Sequence, residues 1–264
     1  MRISLHEMDI LMSFVLRKPK EFVYAHPTYT LSKSQVKKFD TLVQRREQGE
    51  PIAYLTGHKE FYGLDFLVNK AVLIPRPSTE TLIETVLPAL KSKQLICDVG
   101  TGSGNIALTL KYLKPNCVVI ATDVSASALQ VAKQNAKRLK TTVRFYRSNV
   151  LRQLPKSLRG KIDIITFNAP YLTKQEASKA NLQYEPRIAL TPTGSPTSLI
   201  EQLLQQASTF LKPTGQIYFE IGHRQAKQVA RLCQKYFPAA TITVIKDLGG
   251  WDRVVHVTLP HPVA

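Results

Sequence analysis

Residues 95–108 read LICDVGTGSGNIAL, and the fold turns on this stretch. Leu95 to Val99 make an apolar run of strand length, Gly100, Gly102 and Gly104 break it, and Asn105-Ile106-Ala107-Leu108 open a helix. A strand that passes through glycines into a helix begins a βαβ unit, because glycine lets the backbone turn tightly and approach a ligand at the helix N-terminus. Working outward, further short apolar runs follow: CVVIATD (117–123), VRFYRSN (143–149), DIITFN (163–168), QIYFEIG (216–222), ITVIKDL (242–248) and VVHVTLP (254–260). Helix-like stretches lie between them, notably Ser125 to Lys140, Thr197 to Leu211 and Arg224 to Phe237. The alternation predicts an α/β fold with a doubly wound parallel sheet of five helix-linked strands. The last two runs are joined only by Gly249, Gly250, Trp251 and Asp252, too short for a crossover helix, so that pair is expected to be antiparallel.

The glycines do not match a dinucleotide fingerprint. G-x-G-x-x-G needs its third glycine one residue later, where Asn105 stands, which disfavours a nicotinamide cofactor. Asp123 closes the second strand about twenty residues on, where an acid can accept from both hydroxyls of a ribose. Asp98, just before the glycines, is placed to orient the loop or to receive an ammonium group. Together these point to an adenosine-containing ligand without a pyrophosphate. At the end of the fourth strand, Asn168-Ala169-Pro170-Tyr171 brings an amide oxygen that can accept from an NH2 group and a flat ring on which a planar group can lie.

Upstream of the sheet, Leu5, Met8, Leu11 and Val15 recur at helical spacing, and Ser32 with Gln35 has capping-box register before Val36, Phe39 and Leu42. These two helices, ended by Gly49 and Pro51, form a cap too small to fold alone. From Pro51 to Asn69, aromatic and β-branched residues around Gly57 and Gly63 suggest a hairpin-like connector.

The chain has 264 residues, 44% hydrophobic and 21% charged, which fits one large domain with a small appendage and rules out global disorder. Thirty-six Lys and Arg against nineteen Asp and Glu leave a net charge of +17, so a polyanionic partner is expected. Part of that charge is an acid-free run from Ser125 to Lys161, a candidate phosphate-facing surface that includes Lys133, Arg138, Arg144 and Arg152. Cys97, Cys117 and Cys233 form no metal or redox motif and read as buried thiols of a reducing compartment. No secretory signal and no apolar run of the ~20 residues needed to cross a bilayer is present, and the expected location is the cytoplasm, with no membrane partner and no metal.

Taken together, DVGTGSGNIA, ATD and NAPY resemble S-adenosylmethionine-dependent methyltransferases that act on planar amino nitrogens. More specifically, EPIAYLTGHKEFYGLDF (50–66), LIPRPSTE (73–80), YEPRIAL (184–190) and DLGGWDRVV (247–255) resemble the HemK-like peptide chain release factor N5-glutamine methyltransferases, over nearly the whole chain from about Asp9. The resemblance implies a small helical substrate-docking domain (1–50), a β-hairpin linker (51–72) and a Rossmann-like, seven-stranded class I methyltransferase domain (73–264). It implies that Gly100, Thr101, Gly102, Ser103 and Gly104 hold the methionine part of S-adenosyl-L-methionine, Asp123 its ribose and Asn149 its adenine, with Val150 also counted among the cofactor-binding residues. Asn168, counted with both cofactor and substrate, would hold the glutamine amide of a Gly-Gly-Gln loop together with the Ala169 carbonyl, with Pro170 stiffening the turn and Tyr171 packing on the amide.

This chain departs from the family pattern at Ala169, where Pro is usual, at Asn149, where an acid is frequent, and at Ser78, which replaces a frequent Asp and reads as a cap for a helix from Thr81 to Leu90. Two other readings stay open at this point. One is a nucleic-acid amino methyltransferase acting on adenine N6 or cytosine N4, which present the same planar NH2. The other is a noncatalytic protein of the same fold that binds the ribosome or RNA.

Overall fold

The computed structural model describes residues 3–178 and 182–260, so the ends of the expected 1–50 and 73–264 units lie partly outside it. Four helices come first: α1 (Leu5–Leu16), α2 (Lys20–Ala25), α3 (Lys33–Glu47) and α4 (Ile52–Thr56). The expected box at Ser32 and Gln35 caps α3, and a second box, Ser4 with Glu7, caps α1. Leu11, Val15, Leu42 and Leu55 form the small core of this cap. Of the α1 stripe only Leu11 and Val15 are buried, since Leu5 and Met8 face solvent. The connector is a correction in detail: α4 comes before the hairpin, which is confined to β1 (His58–Phe61) and β2 (Leu64–Leu67). Its turn, Tyr62-Gly63, has positive φ at both residues, as a type I′ turn requires. Phe61 and Phe66 carry the hairpin into the main core.

Next come α5 (Glu80–Val86), β3 (Leu95–Val99), α6 (Asn105–Leu113), β4 (Val118–Asp123), α7 (Ala126–Arg138), β5 (Arg144–Arg147) and β6 (Ile162–Asn168). They are followed by α8 (Lys174–Ala177), α9 (Arg187–Leu190), α10 (Ser198–Phe210), β7 (Leu211–Glu220), α11 (Ala226–Tyr236), β8 (Thr241–Lys246) and β9 (Asp252–Thr258). The seven-stranded sheet has the order β5-β4-β3-β6-β7-β9-β8. Strands β3 to β7 are parallel, and β9 runs antiparallel between β7 and β8. Two expectations need correcting. The β5-to-β6 connection carries only a 3-10 turn at Lys156–Leu158, with Pro155 at its N-cap and Gly160, at positive φ, shortly after it. Ser78 lies inside a 3-10 turn, Pro77–Thr79, so Thr79 and not Ser78 precedes α5, which ends at Val86 and not Leu90.

One face of the sheet packs on α10 and α11 and the other on α5 and α6, which makes its strands apolar on both sides, as a parallel sheet requires. The strand order reverses between β3 and β6, and in open α/β sheets the crevice outside the carboxyl ends at that switch point receives the ligand. Among the described residues no helix is long and apolar enough to cross a membrane, and no group of three or more His, Cys, Asp or Glu is placed to hold a metal.

Candidate active site at the β3 and β6 strand ends

Val99 pairs with Phe167, so the glycine turn after β3 and Asn168 at the end of β6 lie side by side. Gly100, Gly102 and Gly104 all have positive φ, at 62°, 54° and 84°. A Cβ on Gly104 would meet Leu108 Cδ1 at 2.8 Å, and one on Gly100 would meet Phe167 at 3.2 Å, whereas one on Gly102 would project into open space. The positive φ favours glycine at all three positions, crowding adds to it most at Gly104 and less at Gly100, and Gly102 keeps its surface clear.

Asp123 ties the turn to β4. Its Oδ2 accepts from the Gly102 N–H at 2.9 Å and its Oδ1 from the Ser125 N–H at 2.9 Å. Burial raises its pKa, opposed by those backbone donors. Each oxygen keeps a further lone pair for a ligand hydroxyl. The Ser148 N–H reaches the Asp123 carbonyl at 2.9 Å, which brings the 148–150 segment to the same edge. There Asn149 is exposed and Val150 is buried with φ at 56°, a costly conformation for a β-branched residue. Thr101 and Ser103 are buried within the turn. Asn135 of α7, which the sequence reading missed, locks the turn to the hairpin: its amide exchanges hydrogen bonds with Leu67 N–H and C=O and donates to the Ser103 carbonyl at 2.9 Å.

Asp98 is fully buried beneath the turn. Its Oδ1 accepts from the Thr166 hydroxyl at 2.8 Å. Burial pushes its carboxyl up to about 7, against the pull of the Thr101 and Thr166 hydroxyls. Thr101 lies near enough to favour the charge, yet Asp98 Oδ2 and Thr101 Oγ1 are buried without a well-formed hydrogen bond among the described residues. Uncommitted polar atoms, two strand-end carboxylates and a clear glycine surface fit a ligand carrying an ammonium group and a ribose. The residues present thus suit S-adenosylmethionine.

On the β6 side, Asn168 Nδ2 donates to the Thr79 hydroxyl at 3.1 Å. Ala169 is buried, and Tyr171 is half-buried against Gly222. Burial and the nearby Glu220 carboxylate raise the Tyr171 pKa, keeping the phenol neutral. Before this edge opens a cavity of ≈ 510 Å³, walled by Asn168 to Leu172 and, from the helical cap, by Glu7, Arg46 and Ile52. The Glu7–Arg46 ion pair, at 2.7 Å, forms part of that wall. Glu185, in the YEPRIAL segment, is buried; its Oε2 accepts from the Ile74 N–H at 3.0 Å and its Oε1 from Arg76. Tyr184 donates to the Gln48 carbonyl at 3.0 Å, joining that segment to the cap. Thr79, Glu185 and Glu220 were not singled out from the sequence, since each acts through a partner more than eighty residues away.

Sheet order, glycine turn and strand-end acid define a Rossmann-like class I methyltransferase fold. A family model described as a methyltransferase domain matches residues 90–255, and one described as the PrmC N-terminal domain matches residues 3–57. The chain is 44% identical over 208 residues to the release factor glutamine methyltransferase of Enterococcus faecalis, covering 77% of this chain and 74% of that protein. It is 38% identical over 253 residues to that of Koribacter versatilis, covering 94% and 88%. A solved methyltransferase from Pyrococcus furiosus superposes with a TM-score of 0.57 at 20% identity, over 81% of this chain and 98% of that one, a likeness of fold alone. The chain belongs to the release factor glutamine methyltransferase family.

Proposed function

We infer that the protein transfers a methyl group from S-adenosylmethionine to the side-chain amide nitrogen, N5, of the glutamine in the Gly-Gly-Gln loop of peptide chain release factors. The observation that carries this reading is the state of Asn168: its NH2 is engaged by Thr79, so its oxygen is the end left to accept at the cavity. The residues from Gly100 to Gly104, Asp123, Asn149 and Val150 would hold the cofactor, which supplies a methyl group already activated by a positive sulfur.

The chain's own task is set by the chemistry of amides. A carboxamide lone pair is delocalised into its carbonyl, so positioning must raise its reactivity. The Asn168 oxygen and the Ala169 carbonyl can each take one N–H of the substrate amide, aim the nitrogen, and favour the positive charge that develops on it. Pro170 fixes the turn, and Tyr171 covers the amide and excludes water.

In this reading residues 1–50 dock the substrate, 51–72 link, and 73–264 carry the chemistry. The three buried free thiols support a reducing, cytoplasmic setting. The acid-free run from Lys133 to Lys161 supports an added contact with ribosomal RNA, although Arg138 is already paired with Asp65 at 2.8 Å.

The test is incubation with methyl-labelled cofactor, purified release factor and total RNA. Label on the glutamine of Gly-Gly-Gln is expected; label on RNA alone would make the protein a nucleic-acid methyltransferase, and no label with no cofactor uptake would leave a binding protein.

A further inference from the structure

Glu220, at the carboxyl end of β7, is an acid for which the chemistry above has no use. It is 1% exposed and pairs in register with Asn168 across the β6–β7 ladder. Its Oε1 accepts from the Ser78 hydroxyl at 3.4 Å, while Oε2 is buried without a well-formed hydrogen bond among the described residues. The Thr79 hydroxyl adjoins the carboxylate and favours its charged form. Thr79 is itself 1% exposed, and its oxygen is the acceptor for Asn168 Nδ2. A hydroxyl that accepts in this way still has its own hydrogen to give, and Glu220 is the acid beside it.

We propose that Glu220 and Thr79 form a positioning relay that sets which end of the Asn168 amide faces the substrate. With Glu220 ionised, the carboxylate takes the Thr79 hydrogen, the Thr79 oxygen takes the Asn168 NH2, and the Asn168 oxygen is turned to the cavity. With Glu220 protonated, its O–H donates to Thr79, the Thr79 hydrogen goes to the Asn168 oxygen, and the amide turns over. The two ends of an amide are nearly isosteric, so sterics alone do not choose between these states. In the second state an NH2 group would confront the substrate's own NH2, donor against donor. The inference rests on the reading that the Asn168 oxygen holds the substrate amide.

The charged groups facing Glu220 are Arg253 of β9 and Arg76 of the segment before α5, both favouring the carboxylate, and the Tyr171 phenol lies within its field. Burial outweighs them and lifts the carboxyl to about 7. The relay therefore changes state near neutral pH, with the productive form on the alkaline side.

The experiment measures kcat and KM across neutral pH for the full chain with release factor and S-adenosylmethionine. Wild type, Asn168→Ala, Thr79→Val, Thr79→Ser and Glu220→Gln are compared. Thr79→Val, which keeps shape and loses the hydroxyl, is expected to lower kcat by about 10²-fold while the cofactor KM stays within about three-fold. Thr79→Ser should restore turnover, a rescue that packing alone would not give. Wild-type kcat should rise with pH through about 7, and Glu220→Gln should abolish that limb. Should Glu220→Gln fail to fold, the Thr79 pair decides the question. A Thr79→Val enzyme with wild-type kcat, beside an inactive Asn168→Ala, overturns the relay and leaves the role of Asn168 standing. An active Asn168→Ala overturns both.

Discussion

The two sides of the β3/β6 crevice are built by different means. On the cofactor side the shape comes from backbone: three glycines at positive φ, and an aspartate whose oxygens take the N–H groups of Gly102 and Ser125. On the substrate side it comes from side chains that arrive from far along the chain, Thr79 to Asn168 and Glu185 to Arg76 and Ile74. The first kind of construction is written in short stretches of sequence, and its positive φ values favour glycine whatever space surrounds them. The second depends on buried polar partners, whose loss leaves a desolvated group behind.

The largest effect expected is on the substrate side. Asn168→Ala should lower kcat by about 10² to 10³-fold, the cost of losing one oriented polar group, with cofactor affinity near wild type by calorimetry. Equal losses of turnover and cofactor affinity would erase the distinction between the sides.

Arg76→Ala should destabilise the protein by about 3 kcal/mol in denaturant titration, because it strands the Glu185 carboxylate, whose side chain is 1% exposed. A loss under about 1 kcal/mol would show that the Ile74 N–H is support enough.

Acidity gives the next effect. Glu220 and Asp98 both have folded pKa values of about 7, above the values of the unfolded chain. Each group therefore favours the folded state fully in acid, and this contribution is lost as pH rises towards 7. Glu7, Glu50 and Asp247 have lowered values and titrate below that window. The stability of Glu220→Gln relative to wild type should accordingly grow as the pH is raised from about 5 to 8, by thermal melting, and a constant difference would refute the assignment.

On the cofactor side, Gly104→Ala and Gly102→Ala should part company. Both place a side chain at positive φ, costing about 1 to 2 kcal/mol, but only Gly104→Ala also drives a methyl group into Leu108. Gly104→Ala should lose more stability, and Gly102→Ala should lose mainly cofactor affinity. The smallest change expected is Ala169→Pro: Asn168 ends a strand, the extended conformation that a following proline favours, so turnover should equal or exceed the parent's. A large loss would show that this turn has a geometry of its own.

That contrast also explains what could be read beforehand. The glycine turn, Asp123 and the NAPY edge were legible because each is a local pattern of strand, turn and helix. The antiparallel end of the sheet followed from the length of one connection. Asn135, Thr79, Glu185 and Glu220 were not legible, since an Asn in a helix or a Glu in a strand carries no mark of a partner 68 to 142 residues away. The short α2 escaped because it buries no residue and so shows no apolar stripe. The lack of an α-helix between β5 and β6 was not legible, because the alternation of apolar runs implies a crossover and does not say what the crossover contains.

The placement of β9 bears on how the chain is made. It follows every other described strand along the chain, yet it lies inside the sheet, and among the described residues β8 joins the ladder only through it. While a nascent chain waits on the ribosome for residues 252–258, the rim of β7 stays open to any passing strand. Premature release before that segment would detach two strands at once.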